Sequence, residues 1–151
     1  MKICFVCHGN ICRSPMAEYM LKDILEKKNI KNHEVVSRAT SYEEIGNDIY
    51  PGTKKILNKY HIPYSKHKAT KLLKEDYDNY DYFIGMDEAN IRNMKFIFEG
   101  ENQNKIIKLL DLTGDSKDVA DPWYTGDFEK TYRDIKEGLD ALLKFLEHRV
   151  K

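Results

Sequence analysis

The first 28 residues contain the feature that most restricts the fold, a short apolar run that leads through a tight loop into a helix. Ile3 to Val6 are consecutive apolar residues that favour a strand. The turn residues Gly9-Asn10 follow, and Ser14-Pro15 then form a typical helix start with Ser14 as the cap. An unbroken apolar run is typical of a strand buried on both faces, so this unit predicts a parallel sheet covered by helices.

The alternation of strand and helix patterns continues along the whole chain. Three further strands are predicted at 35–36, 82–84 and 105–110, and three further helices at about 53–60, from Asp87 onward and from Phe128 to Val150. The last helix has the clearest pattern, because its apolar residues recur every three or four positions. We therefore expect an α/β fold over residues 1–151, a single doubly wound domain whose four-stranded parallel sheet has helices on both faces.

Composition and charge exclude several classes of partner. The 25 basic and 25 acidic residues cancel, so no field of one sign argues for nucleic acid or for an anionic membrane. All three cysteines lie within the first 12 residues, and no cleavable leader is recognisable before them. The apolar run at the start is far shorter than the roughly 20 residues that span a bilayer. We expect a cytoplasmic protein that binds neither nucleic acid nor membrane.

The loop between the first strand and the first helix has the chemistry of an anion site. Backbone N–H groups at a helix N-terminus converge on one point, and Gly9 and Asn10 tolerate the left-handed backbone that such a loop needs. Arg13 adds a planar set of donors that matches two phosphate oxygens. The same positive potential favours the thiolate form of Cys7. This C-x5-R loop predicts attack of a thiolate on a bound phosphoryl group, while the lysine of nucleotide-binding P-loops is missing from it.

Three other readings of these residues remain open at this point. Cys4 and Cys7 form a C-x-x-C pair that suits a redox site, or a zinc site together with Cys12 and His8. Against both, strand alternation turns Cys4 away from its neighbours. The third is a non-catalytic module that binds oxyanions without turnover.

Two separated motifs resemble those of one family, the low-molecular-weight protein tyrosine phosphatases. CHGNICRSPMAE at 7–18 is similar to the family motif C-x-G-N-x-C-R-S-P, and DPWY at 121–124 is similar to its D-P-[WY]-Y segment. Intermediate stretches at 39–47, 74–82 and 86–94 match as well. The resemblance implies hydrolysis of phosphotyrosine and small aryl phosphates through a phosphocysteine, with no metal or other cofactor.

The resemblance also assigns roles to residues. It implies that Cys7 is the nucleophile, that Arg13 binds phosphate and that Asp121 is the general acid. The remaining assignments fall into four groups: the phosphate-binding loop, residues that support it, the wall around the leaving group, and a redox partner for the nucleophile. They are His8, Gly9, Asn10, Ile11, Cys12 and Arg13 for the loop; Ser14, Asn10, His67 and Asp87 for support; Tyr42, Trp123 and Tyr124 for the wall; and Cys12 for the reversible disulfide.

The chain departs from the family pattern at a few positions that affect specificity. His8 replaces a residue that is often apolar, and Tyr42 and Glu43 stand where relatives commonly have an aromatic one position later. Ile11 keeps the phosphotyrosine pattern, whereas phosphoarginine phosphatases of the superfamily have threonine there. The alternative enzyme is therefore a protein arginine phosphatase on the same scaffold. The expected partners are a tyrosine-phosphorylated protein or peptide and inhibitory phosphate-like oxyanions, with the chain as a monomer or weak homodimer.

Overall fold

A four-stranded parallel sheet forms the centre of the computed structural model, which describes residues 1–149. The strands are β1 (Lys2–Cys7), β2 (Glu34–Ala39), β3 (Tyr82–Gly85) and β4 (Ile106–Lys108), in the spatial order β2-β1-β3-β4. In the register of the central strand, Ile3 lies between Val35 and Tyr82. All three neighbouring pairs are parallel, so the predicted strand number and direction are confirmed.

Helices connect the strands and cover both faces of this sheet. They are α1 (Arg13–Lys27), α2 (Pro51–Lys59), α3 (Glu88–Ile97), α4 (Pro122–Thr125) and α5 (Phe128–Glu147). Short 3-10 helices occupy Lys74–Asn79, Gln103–Lys105 and Leu109–Thr113. The doubly wound α/β fold is therefore confirmed. No helix within residues 1–149 combines the length and apolar character that crossing a membrane requires.

Alternation along β1 divides the core between the two faces. Ile3 and Phe5 belong to the larger cluster, which α1, α2 and α5 complete. Cys4 and Val6 point to the other face and pack in the cluster that contains Phe83, with residues of α3. Successive side chains of a strand point to opposite faces, and here both faces are apolar because both are covered.

The boundaries of several predicted elements, among them the second strand and the second helix, differ from the structure by a few residues. The fourth strand ends at Lys108 instead of 110, because Leu109 and Leu110 enter a 3-10 helix and are buried outside the sheet. The last helix begins at Phe128 as predicted and ends at Glu147. Its predicted end at Val150 lies outside the described residues.

The first helix begins differently from the prediction. Its N-cap is Cys12, and no side chain caps it, so the prediction of a Ser14 cap is wrong. The Ser14 hydroxyl is instead bonded to Cys7 and Asn10, which leaves it unable to serve the first-turn backbone. Asp87 is the N-cap of α3, where its side chain accepts from Asn90 N.

The order of the strands determines where a ligand can bind. The connections from β1 and β3 leave the sheet on opposite sides, which opens a crevice at the carboxyl ends of these strands. The loop at 8–12 follows β1, and Asp87 follows β3. Arg13, which follows this loop, and Asp87 thus meet at one edge of the sheet although they are 74 positions apart in the sequence.

Candidate active site

The loop after β1 has its carbonyl groups turned outward. Thr40 N donates to Cys7 O at 3.0 Å, Ser41 N donates to His8 O at 3.1 Å, and Tyr50 N donates to Ile11 O at 2.9 Å. In a trans peptide unit the C=O and the next N–H point in opposite directions. Each bonded carbonyl therefore turns the following N–H toward the cleft, which gives the loop several donors for one anion.

Asn10 braces the loop from within. It is fully buried and left-handed, with φ of 60°, so the prediction for this residue is confirmed. Its main-chain oxygen lies 2.7 Å from His67 Nε2, and its Oδ1 accepts from Thr70 N at 3.1 Å. The same prediction is wrong for Gly9, which lacks a positive φ. A Cβ at Gly9 would lie 3.3 Å from Glu44 Cγ, a close contact that a small shift of the Glu44 side chain would relieve.

The Cys7 thiol lies at the bottom of the loop, where two donors approach its sulfur. Asn10 N donates to Sγ at 3.3 Å, and Ser14 Oγ lies 3.0 Å from Sγ. Asn10 Nδ2 donates to Ser14 Oγ at 2.8 Å, so the hydroxyl hydrogen of Ser14 is left to point at the sulfur. Both hydrogen bonds favour a negative charge on the sulfur.

Arg13 is buried between two carboxylates and a carbonyl. Its Nη1 donates to Asp87 Oδ2 at 2.9 Å and to Val119 O at 3.1 Å, and its Nη2 donates to Asp121 Oδ2 at 3.3 Å. Burial alone lowers the pKa of Arg13, but negative charge at Cys7, Asp87 and Asp121 outweighs it and raises the pKa above the ordinary value. The guanidinium is therefore a permanent cation beside the sulfur.

Asp121 lies at the N-cap of α4, at the edge of the cleft. Its Oδ1 accepts from Trp123 N at 3.0 Å, and Pro122 takes the first helical position, which suits a residue without an N–H. Its side chain is about a quarter exposed, at 27%. Asp121 therefore lines the same cleft as Cys7, with one carboxylate oxygen bonded to Arg13.

The loop opens into a cleft of about 460 Å³. Trp123 and Tyr124 line its mouth and are 60% and 85% exposed, so an incoming ring can reach both. Tyr50 supports Trp123 edge-on, with centroids 5.5 Å apart, and stacks on Phe128. The cleft is lined by these aromatics, loop residues and residues that follow the other strands: Cys7, His8, Gly9, Ile11, Cys12, Arg13, Glu43, Glu44, Asp87, Ala89, Asn90, Asn93, Asp121, Trp123 and Tyr124.

Tyr42 does not line this cleft, in contrast to the expectation for the wall. Its ring lies under the Lys71 ammonium, with Nζ 4.8 Å from the centroid. The next two residues, Glu43 and Glu44, face the cleft instead. Glu43 Oε2 lies 2.9 Å from His8 Nε2, so a polar pair forms the side of the cleft where an aromatic was expected.

The three cysteines occupy distinct environments, and none is bonded to another. Burial, together with negative charge at Cys7 and Asp121, raises the pKa of the Cys12 thiol to about 12. Cys12 is therefore a neutral thiol near neutral pH. Cys4 packs on the opposite face of the sheet from Cys7, which separates the C-x-x-C pair that had suggested a redox or zinc site.

Sequence analysis did not identify several groups that complete the site. Ser37 Oγ accepts from Asn10 Nδ2 at 2.8 Å and donates to the buried Glu18 Oε1 at 2.6 Å. Asn90 Oδ1 accepts from the N–H groups of Met86 and Asp87. Ser37 on β2 and Glu18 on α1 carry no local signal, whereas the D-x-x-N spacing at the start of α3 could have identified the capping role of Asn90.

These contacts favour one chemistry, attack of a thiolate on a phosphoryl group held by the loop. The fold and the site therefore define the class of cysteine-dependent phosphatases. The model of the low molecular weight phosphotyrosine protein phosphatase family matches residues 2–151. The chain belongs to this family.

Individual relatives agree over nearly the whole chain. Low molecular weight protein-tyrosine-phosphatase PtpA of Staphylococcus epidermidis is 39% identical over 145 residues, which cover 95% of this chain and 92% of the relative. Among solved structures, YfkJ from Bacillus subtilis has a TM-score of 0.95 at 36% identity, covering 100% of this chain and 97% of that chain. SP-PTP, a low molecular weight protein tyrosine phosphatase from Streptococcus pyogenes, has a TM-score of 0.85 at 40% identity, with 97% of each chain covered.

Proposed function

We propose that this chain is a cysteine-dependent protein tyrosine phosphatase that hydrolyses phosphotyrosine and small aryl phosphates, and that residues 1–151 act as one domain. One observation carries the proposal. The Cys7 sulfur accepts hydrogen bonds inside a loop of inward N–H groups, beside buried Arg13, with the Asp121 carboxyl group above it. Nucleophile, anion site and proton donor thus face one another.

Phosphate binding follows from the donors that remain. Of the five N–H donors of Arg13, three are taken by Asp87, Val119 O and Asp121. The Nε–H and the second Nη2–H have no partner within residues 1–149 and form a two-pronged site for phosphate oxygens. The loop N–H groups from His8 to Arg13, except that of Asn10, which donates to the Cys7 sulfur, bind the remaining oxygens. Phosphate-like oxyanions are therefore expected to inhibit.

In the first step the Cys7 thiolate attacks phosphorus. The S–P bond forms as the bond from phosphorus to the aryl oxygen breaks, and the departing oxygen takes a proton from the Asp121 carboxyl group. The products are a phosphocysteine and a neutral phenol.

In the second step water hydrolyses the phosphocysteine. The Asp121 carboxylate takes a proton from the water as its oxygen attacks phosphorus, and the S–P bond breaks to release the Cys7 thiolate. The Ser14 hydroxyl stabilises that thiolate as the leaving group. Both steps return every residue to its starting state, so no cofactor is required.

The mouth of the cleft suits a phenol. Trp123 and Tyr124 present exposed faces to a leaving ring, and aromatic pairs of this kind contribute about 0.5–1.5 kcal/mol beyond the buried area. The substrate is therefore a tyrosine-phosphorylated protein or peptide. We expect the chain to act as a monomer or weak homodimer in the cytoplasm.

Cys12 is proposed as the redox partner of Cys7. An oxidant such as peroxide converts the Cys7 thiolate to a sulfenic acid, and the Cys12 sulfur then displaces water to form a disulfide. Reduction by a thiol restores both residues. The pair would protect Cys7 from irreversible oxidation, and Cys12→Ser is expected to increase the activity lost permanently after a peroxide pulse.

The first experiment measures hydrolysis of a phosphotyrosine peptide with EDTA and a reductant present. We expect wild-type turnover to persist, Cys7→Ser to abolish it, and Cys4→Ala to retain it. Cys4 is the matched control because it lies on the opposite face of the sheet. Turnover in Cys7→Ser, or no turnover in the reduced wild type, would refute the proposal.

A further inference from the structure

Three consecutive residues before Asp121 are held by hydrogen bonds from different elements. Asp118 Oδ1 accepts from Lys108 Nζ at 3.1 Å, and Val119 N donates to Met86 O at 2.9 Å. Val119 O accepts from Arg13 at 3.1 Å. We call residues 118–121 the acid segment. Its position is thus tied both to β4 and to the phosphate-binding arginine.

Ala120, the residue next to the proposed acid, is held on both sides by α5. Its N–H donates to Asp134 Oδ2 at 3.0 Å, and its carbonyl accepts from Thr131 Oγ1 at 2.8 Å. Thr131 and Asp134 are three positions apart and therefore share one face of the helix. The two side chains thus bond both the N–H and the carbonyl of Ala120, as a neighbouring strand would. These bonds fix the orientation of the peptide units immediately before Asp121.

Both helix residues are buried, although neither is apolar. Thr131 is fully buried and Asp134 is 4% exposed. Lys130 Nζ lies 2.6 Å from Asp134 Oδ1, so the buried carboxylate has a cation on one oxygen and the Ala120 N–H on the other. Burial of a charge is costly unless it is paired and hydrogen-bonded, as it is here. The arrangement makes Asp134 a rigid acceptor.

We propose that Thr131 and Asp134 are positioning residues for proton transfer, because they set the location of the Asp121 carboxyl group relative to the departing oxygen. This inference rests on the proposed function, in which Asp121 is the acid. Proton transfer depends steeply on the distance and angle between donor and acceptor. Loss of either bond frees the Ala120 peptide, and Asp121 then populates positions from which it donates poorly.

The test compares kcat/KM for two aryl phosphates, one with a poor and one with a good leaving group. Proton donation matters most for the poor leaving group. Asp121→Asn is therefore expected to lower kcat/KM for that substrate much more than for the other, and so to raise strongly the ratio of kcat/KM for the good leaving group to kcat/KM for the poor one. Thr131→Val keeps the shape but removes the hydroxyl, and we expect it to widen the same ratio about tenfold. Thr131→Ser restores the hydroxyl and is expected to return the ratio to the wild-type value.

Thr113→Val is the matched control, because Thr113 Oγ1 donates to Leu110 O at 2.6 Å, a bond of the same kind outside the acid segment. It is expected to leave the ratio unchanged. Alkylation of Cys7 by iodoacetate is expected to keep its wild-type rate in Thr131→Val, which shows that the loop is intact. If Thr131→Val does not fold, Asp134→Ala tests the other bond with the same expected result.

The outcomes distinguish a failure of the positioning role from a failure of the proposed mechanism. If Asp121→Asn lowers both kcat/KM values equally, Asp121 is not the acid and the proposed mechanism fails. If Asp121→Asn widens the ratio while folded Thr131→Val or Asp134→Ala leaves it unchanged, the positioning role is wrong and the mechanism stands. Widening in both sets of variants, with recovery in Thr131→Ser, supports the inference.

Discussion

Ser14 Oγ lies 3.0 Å from Cys7 Sγ and accepts a hydrogen bond from Asn10 Nδ2 at 2.8 Å. Because the Asn10 amide donates to the Ser14 oxygen, the Ser14 hydroxyl is free to donate its own hydrogen to the Cys7 sulfur. Ser14, the second residue of α1, is thereby a donor to the Cys7 sulfur. This relationship connects the brace of the loop to its chemistry.

Ser14→Ala is expected to lower kcat for aryl phosphate hydrolysis about 10- to 100-fold, because a hydrogen bond to a charged group contributes about 1.5–3 kcal/mol. The measurement is steady-state kinetics of aryl phosphate hydrolysis under reducing conditions. Ser116→Ala is the control, since Ser116 is exposed and outside the site. An unchanged kcat in Ser14→Ala would show that the hydroxyl does not stabilise the thiolate.

Ile11→Thr tests the alternative substrate. Ile11 lines the cleft with an apolar side chain, and a threonine hydroxyl there could accept a hydrogen bond from the guanidinium of phosphoarginine. We expect the ratio of phosphoarginine to phosphotyrosine turnover to rise about tenfold, as one hydrogen bond to a charged group permits. Ile11→Val, which removes bulk without adding a hydroxyl, is the control. The same ratio in wild type and Ile11→Thr would remove this residue from substrate selection.

The Cys4 thiol makes the free energy of unfolding depend on pH in the alkaline range. Burial raises the pKa of Cys4 above the ordinary value of 9.0, so the unfolded thiol ionises first as the pH rises. The unfolded state then binds fewer protons than the folded state, and the free energy of unfolding decreases above about pH 9. Urea denaturation gives the free energy of unfolding of the wild type and of Cys4→Ala near pH 7 and near pH 10. We expect the wild type to be the more stable protein near pH 7, and the difference between the two to be about 1 kcal/mol smaller near pH 10. Tyrosine ionisation is common to both proteins and cancels in the comparison.

Gly138→Ala tests the packing of α5 on the 3-10 helix after β4. A Cβ at Gly138 would lie 2.4 Å from Leu109 Cγ, which is fully buried. Alanine favours the helix by about 1 kcal/mol, but overpacking costs about 1–3 kcal/mol, so a net destabilisation of about 1 kcal/mol is expected in urea denaturation. Leu109→Ala relieves the contact, and the double variant should be more stable than the sum of the two single losses predicts. If the losses in free energy of unfolding are additive, the contact with Leu109 is not the cause of the destabilisation in Gly138→Ala.

Local patterns predicted the parts of the fold that depend on neighbouring residues. Short-range rules predicted the strand at 3–6, the helix that starts at Asp87 and the helix that starts at Phe128, and each element is present. Patterns failed where a distant group competes for a side chain. Ser14 was expected to cap α1, but the sulfur of Cys7 and the amide of Asn10 bind its hydroxyl.

The sequence alone determined the chemistry of the phosphate loop, because Cys7 and Arg13 lie six residues apart on one strand-loop-helix unit whose geometry is local. The family resemblance named Asp121, His67 and Asp87 as distant members of the site, but only the tertiary structure shows the contacts by which distant residues complete it. Asp121 reaches Arg13 across 108 positions, and Thr131 and Asp134 meet Ala120 only because α5 packs beside the acid segment. Tyr42 lies outside the cleft because its ring packs against Lys71, a contact between distant residues that no local pattern predicts. Contacts between distant segments depend on how the sheet and helices pack together, and a short stretch of sequence does not specify that packing.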